Sequence, residues 1–157
     1  MLALICGTGD LPSKIAAAQD EPPLVCEIAG FAPNGLKPDL EFSLETLGSL
    51  FIELGQRGVT EVCACGAIDR PQIDPSKLDE HTLPLVPLLA GALQSGDDGA
   101  LRTIMGLFEQ TGFTVRPAHE LAPELIAQPG VLSEKWPDVQ MRDDVKLGAD
   151  VLAAMAP

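Results

Sequence analysis

The first seventy residues alternate between short apolar runs and segments with helical spacing. The run from Leu2 to Cys6 is continuously apolar, as is typical of a strand covered on both faces, and further strands are predicted at Leu24 to Ile28 and Val62 to Ile68. Pro12 suits the first position of a helix that continues to Gln19. Leu44 to Arg57 has helical spacing, with Gly58 placed to end that helix. The order strand, helix, strand, helix, strand predicts a parallel sheet with helical crossovers.

The rest of the chain continues the pattern with weaker signals. Helices are predicted from Leu83 to Leu93 and from Ala100 to Gln110, then a last strand from Phe113 to Pro117 and a closing helix from Asp143 to Met155. The expected fold class is therefore α/β, a Rossmann-like parallel sheet flanked by helices in a single domain. We expect that domain over residues 1–140, followed by a helix within 141–157.

Charge limits the partners that this fold can take. The formal net charge is −13 and no cluster of Lys or Arg stands out, so we expect no nucleic-acid partner and no simple electrostatic docking to anionic lipid. A small anion can still be held by backbone N–H groups and one or two arginines. No apolar run approaches the roughly 18 residues of a membrane-spanning helix.

Four cysteines, Cys6, Cys26, Cys63 and Cys65, lie in strand-like apolar runs. No nearby Cys or His completes a metal-ligand set around the Cys63/Cys65 pair. We therefore expect buried structural thiols in a reducing compartment.

The turn after the first strand, Gly7 to Pro12, is a candidate ligand site. In parallel sheets ligands bind beyond the carboxyl ends of the strands, and glycines followed by a helix start can approach a phosphate. A dinucleotide fingerprint is incomplete here, because Pro12 stands where a third glycine is needed. A tight turn without a ligand remains the alternative.

Two later turns carry charged residues. Arg70, in the turn from Gly66 to Pro71, has a donor fork suited to a phosphate or carboxylate, or it pairs with a neighbouring aspartate. Asp97 and Asp98 precede a helix and either cap it or contribute to a divalent-cation site. His119, beside Glu120, follows the last predicted strand.

Taken together, these segments resemble the LpxI-type UDP-2,3-diacylglucosamine pyrophosphatases of lipid A synthesis, in that family's N-terminal domain. The resemblance joins four motifs in order. They are a glycine turn ending Leu11-Pro12, then Gly66-x-x-x-Arg70-Pro71, then Gly96-Asp97-Asp98-x-x-Leu101-Arg102, then Ala118-His119-Glu120. Ala67 and Asp69 depart from the family pattern and reduce the anion-binding character of the second turn.

The resemblance implies a hydrolase that splits the substrate into UMP and 2,3-diacylglucosamine 1-phosphate, with Mg²⁺, in the bacterial cytoplasm or peripherally at the inner membrane. It implies that an essential aspartate lies in a C-terminal domain, so this chain alone is expected to be inactive. It points to ten substrate-binding positions, Thr8, Gly9, Asp10, Leu11, Ile68, Arg70, Asp97, Asp98, Arg102 and His119. The catalytic base, the metal ligands and the oligomeric state, a homodimer included, stay open.

A second class of function is compatible with the same turns. A non-catalytic nucleotide- or metabolite-binding module would grip its ligand at the same sheet edge without hydrolysis. A nicotinamide-dependent oxidoreductase is disfavoured by Pro12.

Overall fold

A five-stranded, all-parallel sheet organises the first 125 residues of the computed structural model, which describes residues 1–69, 73–94 and 96–155, apart from the side chain of Leu93. The strands are β1 Leu2–Cys6, β2 Leu24–Ile28, β3 Leu40–Phe42, β4 Glu61–Cys65 and β5 Thr114–Val115. Their order in the sheet is β3-β2-β1-β4-β5. This is the order of a Rossmann-like fold, so the predicted α/β class is confirmed.

Helices cover both faces of the sheet. They are α1 Leu11–Ala17, α2 Leu47–Gln56, α3 Val86–Gln94, α4 Gly96–Gln110 and α5 Ala118–Leu121. A further helix, α6, spans Val139–Met155. Short 3₁₀ turns lie at Leu44–Thr46, Pro75–Lys77, Leu83–Leu85 and Pro123–Leu125. Among the described helices none is long and apolar enough to span a membrane.

Several predicted boundaries shift, and one strand was missed. The strand predicted from Val62 to Ile68 ends at Cys65, because Gly66 turns the chain with a φ of 93°. The predicted last strand is reduced to Thr114–Val115. β3 was missed because its three residues carry little hydrophobic pattern of their own.

The helices also differ from their predicted limits. The helix predicted from Leu44 to Arg57 is a 3₁₀ turn followed by α2. The helix predicted to begin at Ala100 is α4, which begins four residues earlier, at Gly96. The last helix begins at Val139, because the carboxylate of Asp138 accepts the Met141 N–H at 2.8 Å and so caps the helix.

The core divides into two layers, one on each face of the sheet. On one face, Ala3 and Ile5 of β1 pack with buried side chains of α2, α3 and α4. On the other, Leu4 and Cys6 pack against Ile15 of α1 and against the region of α5. The alternation of adjacent β1 residues between the two layers is what a strand covered on both faces requires.

Three aromatic rings bind α2 and α4 to the end of the sheet. The Phe51 and Phe108 rings meet edge to face, with centroids 4.9 Å apart, and Phe113 lies 6.1 Å from Phe108. This geometry places the positive ring edge against a negative face and adds to the hydrophobic gain. The position of α4 is therefore fixed at its carboxyl-terminal half.

The contacts divide the chain into two compact units, Met1–Leu125 and a second that begins at Ile126. The regular element of the second unit is α6, and none of its helical residues is buried.

The core packing predicts a large loss of stability for Leu54→Ala. Leu54 lies on α2 and is fully buried, so truncation removes apolar contacts and leaves a cavity costing about 2–5 kcal/mol of unfolding free energy. Leu88→Ala, at an exposed position of α3, is the matched control and should change stability by less than about 0.5 kcal/mol. Urea unfolding followed by circular dichroism measures both, and equal losses would contradict this account of the core.

Candidate functional site

The turns after β1 and β4 are joined to each other by backbone hydrogen bonds. The Gly7 N–H donates to the Cys65 carbonyl at 2.8 Å. Thr8 and Ala67 exchange two further bonds, of 2.8 and 2.9 Å, and the Thr8 hydroxyl also donates to the Ala67 carbonyl at 3.0 Å. Beyond the parallel pairing of β1 and β4, the two turns are therefore joined by an isolated antiparallel bridge between Thr8 and Ala67.

Two glycines make this contact possible. Gly66 has a φ of 93°, and a Cβ built on it would lie 2.6 Å from the Gly7 carbonyl oxygen. A Cβ on Gly7 would overlap the Ala67 carbonyl and lie 2.9 Å from the Ile68 side chain. The glycines thus allow the two turns to approach each other closely. The N–H groups of Gly7 and Thr8 donate hydrogen bonds to carbonyls of the protein itself.

The next residues of the first turn contact the loop after β2. The Asn34 N–H donates to the Gly9 carbonyl at 3.0 Å, and the Asn34 side-chain amide donates to the Asp10 carboxylate at 2.8 Å. Asp10 stands before α1 without capping it through its side chain. Leu11 is 39% exposed at the start of that helix. The loops after three neighbouring strands, β2, β1 and β4, are thereby tied together at one edge of the sheet.

A cavity of about 490 Å³ opens at the same edge, and we refer to it as the edge cavity. β1 pairs with both β2 and β4, so this is the point where the strand order reverses, the usual position of ligands in open α/β sheets. The sheet, the start of α2 and the two turns contribute most of the lining residues, namely Ile5, Gly7, Ile28, Phe42, Leu44, Leu47, Ala64, Cys65, Gly66, Ile68 and Asp69.

One face of α4 supplies the rest of the lining. Its residues are spaced three and four apart, as a helix stripe requires, and comprise Asp97, Ala100, Leu101, Ile104, Met105 and Phe108. Phe108 is fully buried, whereas Leu101 is 53% exposed and Asp97 is exposed. The stripe therefore runs from an acidic, exposed rim into the apolar core.

Asp98 and Arg102 lie on the neighbouring face of α4 and pair with each other. Asp98 Oδ2 lies 2.7 Å from Arg102 Nε, and their side chains are 78% and 79% exposed. An exposed pair at this spacing contributes little to stability. Of the two candidate aspartates, Asp97 is the one that lines the cavity.

The structure brings together only part of the predicted substrate-binding set. Ile68 and Asp97 line the edge cavity, and Thr8 lies in the joined turns beside it. His119 is exposed in α5, whose Ala118 and Leu121 pack on the opposite face of the sheet from the cavity. Arg70 lies outside the described residues. The roles of all ten residues remain predictions.

Sequence reasoning missed a buried anchor next to the cavity. Glu45, only 7% exposed, accepts the Asp74 N–H through its carboxylate at 2.8 Å, and its backbone carbonyl accepts the Asp79 N–H at 3.1 Å. The buried hydroxyl of Thr82 accepts the Gly48 N–H at 2.8 Å. Asp74, Asp79 and Thr82 are thus held against the start of α2 and the residues that lead into it.

The anchor shifts the titration of its carboxylate. Burial raises the pKa of Glu45, but hydrogen bonds from the Ser43 side chain and the Asp74 N–H more than offset it, so the pKa lies below its usual range. The ionised form is therefore the one that the folded protein stabilises.

The cysteines are buried and carry free thiols, as predicted. Cys6, Cys63 and Cys65 share one face of the sheet, and Cys26 lies on the other. Burial raises the pKa of Cys26 to about 12, which keeps it a thiol at neutral pH. Within residues 1–69, 73–94 and 96–155, no group of three or more His, Cys, Asp or Glu side chains could hold a metal ion.

A Rossmann-like sheet with a cavity at its switch point defines the class of α/β domain in which ligands usually lie at that position. Sequence comparison specifies which one. The model of the LpxI N-terminal domain family matches residues 1–125, and the chain belongs to this family. It is 30% identical over 155 residues to the UDP-2,3-diacylglucosamine pyrophosphatase LpxI of Caulobacter vibrioides, a match that covers 96% of this chain and 55% of the relative. The chain therefore spans about half the length of that relative.

The joined turns predict that Gly66→Ala is destabilising. A Cβ at this position meets a backbone carbonyl and imposes strain at positive φ, so we expect a loss of about 1–3 kcal/mol in unfolding free energy. Gly55→Ala is the matched control, since it lies within α2 with open space around its Cβ and should gain about 0.5–1 kcal/mol. Chemical denaturation measures the unfolding free energy of both variants. An unchanged unfolding free energy in Gly66→Ala would show that the two turns can move apart without loss of stability.

The Glu45 anchor predicts a pH-dependent stability. Because the folded-state pKa is lowered, ionised Glu45 stabilises the fold above its unfolded-state pKa, and this contribution is lost as the pH falls through the folded-state pKa. Glu45→Gln should therefore show a smaller loss of stability between neutral pH and about pH 3. Thermal unfolding across this range tests it. Glu109→Gln, at an exposed site on α4, is the control for removing one negative charge. If stability depended on pH in the same way in both variants, the proposed contribution of Glu45 would be contradicted.

Proposed function

We propose that this chain is the substrate-binding N-terminal domain of a UDP-2,3-diacylglucosamine pyrophosphatase. The proposed reaction is hydrolysis of the diphosphate to give UMP and 2,3-diacylglucosamine 1-phosphate. The observation that carries the proposal is membership of the LpxI N-terminal domain family over residues 1–125. The cavity at the switch point of the sheet supports it, because ligands of open α/β sheets bind there.

The proposed role of the chain is to bind and orient the substrate. Three loops tied by Gly7, Thr8 and Asn34 form a rigid edge against which a ligand can be positioned without large rearrangement. The same hydrogen bonds occupy the N–H groups of Gly7 and Thr8, so a phosphate would have to be held by other donors. Arg70 and Arg102, at positions indicated by the family resemblance, are our candidates.

We further propose that the 157-residue chain binds without turnover. The resemblance places an essential aspartate in a C-terminal domain, and the chain spans about half of the relative's length. The C-terminal domain would then be the principal protein partner. We place the protein in the cytoplasm or at the inner face of the membrane, reached through the lipid substrate, since a net charge of −13 does not favour anionic lipid.

The proposed metal is Mg²⁺, which supplies charge neutralisation at a diphosphate. Asp69 and Asp97 line the edge cavity and offer carboxylate oxygens, the donors that Mg²⁺ prefers. The described side chains do not supply a third ligand, so substrate oxygens and water would complete the shell. This donor set fits a metal that arrives with the substrate.

Calorimetry on this chain tests the proposal. We expect UMP and a soluble UDP-sugar to bind and NAD not to bind, with no UMP released from UDP-2,3-diacylglucosamine. Binding of NAD without any uridine nucleotide would contradict the family-based function.

Among variants, His119→Ala should weaken UMP binding, whereas His81→Ala should not. His81 is the matched control because it is also exposed and belongs to none of the predicted binding motifs. Unchanged affinity in His119→Ala would remove His119 from the binding set.

A further inference from the structure

We propose that Asn34 is a site of spontaneous covalent modification, at which the side-chain amide is lost as ammonia and residue 34 becomes aspartate or isoaspartate. Asn34 is the only asparagine in the chain, and Gly35 follows it. The modification removes the amide that joins the loop after β2 to the turn after β1. The chemistry follows from the surroundings of Asn34 alone, whereas its effect on substrate binding rests on the proposed function.

The backbone nitrogen of Gly35 is the nucleophile of this reaction, and the structure leaves it accessible. Asn34 and Gly35 lie in a turn, and both residues are exposed. Within the part of the chain that the structure describes, the Gly35 N–H has no hydrogen-bond acceptor. A Cβ built on Gly35 would have no neighbouring atom within 4 Å, so the space beside this nitrogen is open. Glycine also has no side chain of its own to hinder the attack.

The reaction needs no co-reactant except water. The Gly35 nitrogen forms a bond to Cγ of Asn34, the bond from Cγ to Nδ2 breaks, and ammonia leaves with the proton that the Gly35 nitrogen loses. The intermediate is a five-membered cyclic imide in the main chain. Water then adds to Cγ and gives aspartate, or it adds to the backbone carbonyl carbon and gives isoaspartate, in which the main chain runs through Cγ.

One side-chain hydrogen bond has to break before the amide can leave. The Asn34 amide donates to the Asp10 carboxylate at 2.8 Å, and both side chains are exposed. Exposed side chains change rotamer within nanoseconds, and a hydrogen bond that competes with water stabilises its closed form only modestly. The bond therefore slows the modification by the fraction of time that it is closed, but it does not prevent it.

The product places two carboxylates where the structure has a carboxylate and an amide. A carboxylate at position 34 cannot donate to Asp10, so the side-chain bond between the two loops is lost, and the like charges repel each other at neutral pH. The N–H of residue 34, which donates to the Gly9 carbonyl at 3.0 Å, is kept in both products. The isoaspartate form also lengthens the main chain by one carbon, so it should disturb the loop more than the aspartate form.

Mass spectrometry of the full chain tests the modification directly. During incubation in mildly alkaline buffer, the mass should rise by the difference between an amide and an acid. Digestion should assign this change to residue 34, with aspartate and isoaspartate as separate products, and the rate should increase with pH. A synthetic peptide of residues 31–38 serves as the unstructured reference. An unmodified Asn34 in the protein under conditions that convert the peptide would overturn the proposal.

Two variants test the proposed chemistry. Asn34→Gln keeps an amide, but its longer side chain would have to close a six-membered ring, so it should stay unmodified over the same period. An equal mass change in this variant would show that the modified residue lies elsewhere. Asp10→Ala removes the restraining hydrogen bond and should raise the rate at Asn34 about two- to tenfold. An unchanged rate would contradict the protective effect of Asp10.

Asn34→Asp reproduces the aspartate product and tests its consequence for the fold. At neutral pH its melting temperature should be about 2–4 °C below that of the unmodified chain, because one hydrogen bond is lost and two like charges meet. The deficit should shrink in acid, where the two carboxylates can share a proton. Asn34→Ala is the control that removes the bond without adding a charge, and its deficit should not depend on pH. A deficit in Asn34→Asp that is also independent of pH would contradict the repulsion.

UMP binding keeps this proposal separate from the proposed function. Asp10 is one of the predicted substrate-binding residues, so converted protein should bind UMP more weakly than freshly prepared protein. Equal affinities would overturn the effect on binding. If UMP binds neither form, the pyrophosphatase assignment fails, whereas the mass measurement still decides whether Asn34 is modified.

Discussion

The backbone contact between Gly7 and Gly66 is the constraint on which the ligand-binding edge depends. β1 is the central strand, paired with β2 on one side and β4 on the other, and past the strands Thr8 and Ala67 form an isolated antiparallel bridge between the two turns. Side chains at Gly7 or Gly66 would push the two turns apart. Since Ile68 and Asp69 follow directly in the chain, this contact also sets one side of the edge cavity.

The same contact changes how the glycine turn functions. In a dinucleotide-binding turn, glycines bring backbone N–H groups close to a pyrophosphate. Here the N–H groups of Gly7 and Thr8 donate to backbone carbonyls at the end of β4 and in the turn after it. The glycines therefore allow two turns of the same domain to pack closely together. Pro12 also removes one of the N–H groups at the start of α1. This turn thus stiffens the edge, and its Gly7 and Thr8 N–H groups are already engaged within the protein.

Much of the fold could be predicted from the sequence because the central strands are buried on both faces. β1 is apolar throughout, and β2 and β4 are apolar except for one glutamate each, so the sequence reports this burial locally. β3 has only Leu40 and Phe42 as apolar residues, and it becomes a strand through pairing with β2. Its existence depends on a tertiary contact that no local pattern reports.

The site was less predictable for the same reason. Ile68 and Asp97 came from the order of motifs in a family resemblance, and spacing alone could not choose Asp97 over Asp98. The Glu45 anchor joins residues 29 positions apart in the chain. In the sequence, Glu45 looks like an ordinary acid at a helix start, and only the fold shows that the Asp74 N–H reaches it.

Electrostatics then constrain where a diphosphate can lie. Among the arginines that the structure describes in the first unit, Arg57, Arg102 and Arg116 each pair with a glutamate or aspartate. Recruiting one of them for a phosphate means breaking its ion pair, which costs least for the exposed Asp98–Arg102 pair. Asp98 would then act as a partner that holds Arg102 until an anion replaces it. The two adjacent aspartates thus differ in their surroundings, with Asp97 at the cavity rim and Asp98 paired with Arg102 on α4.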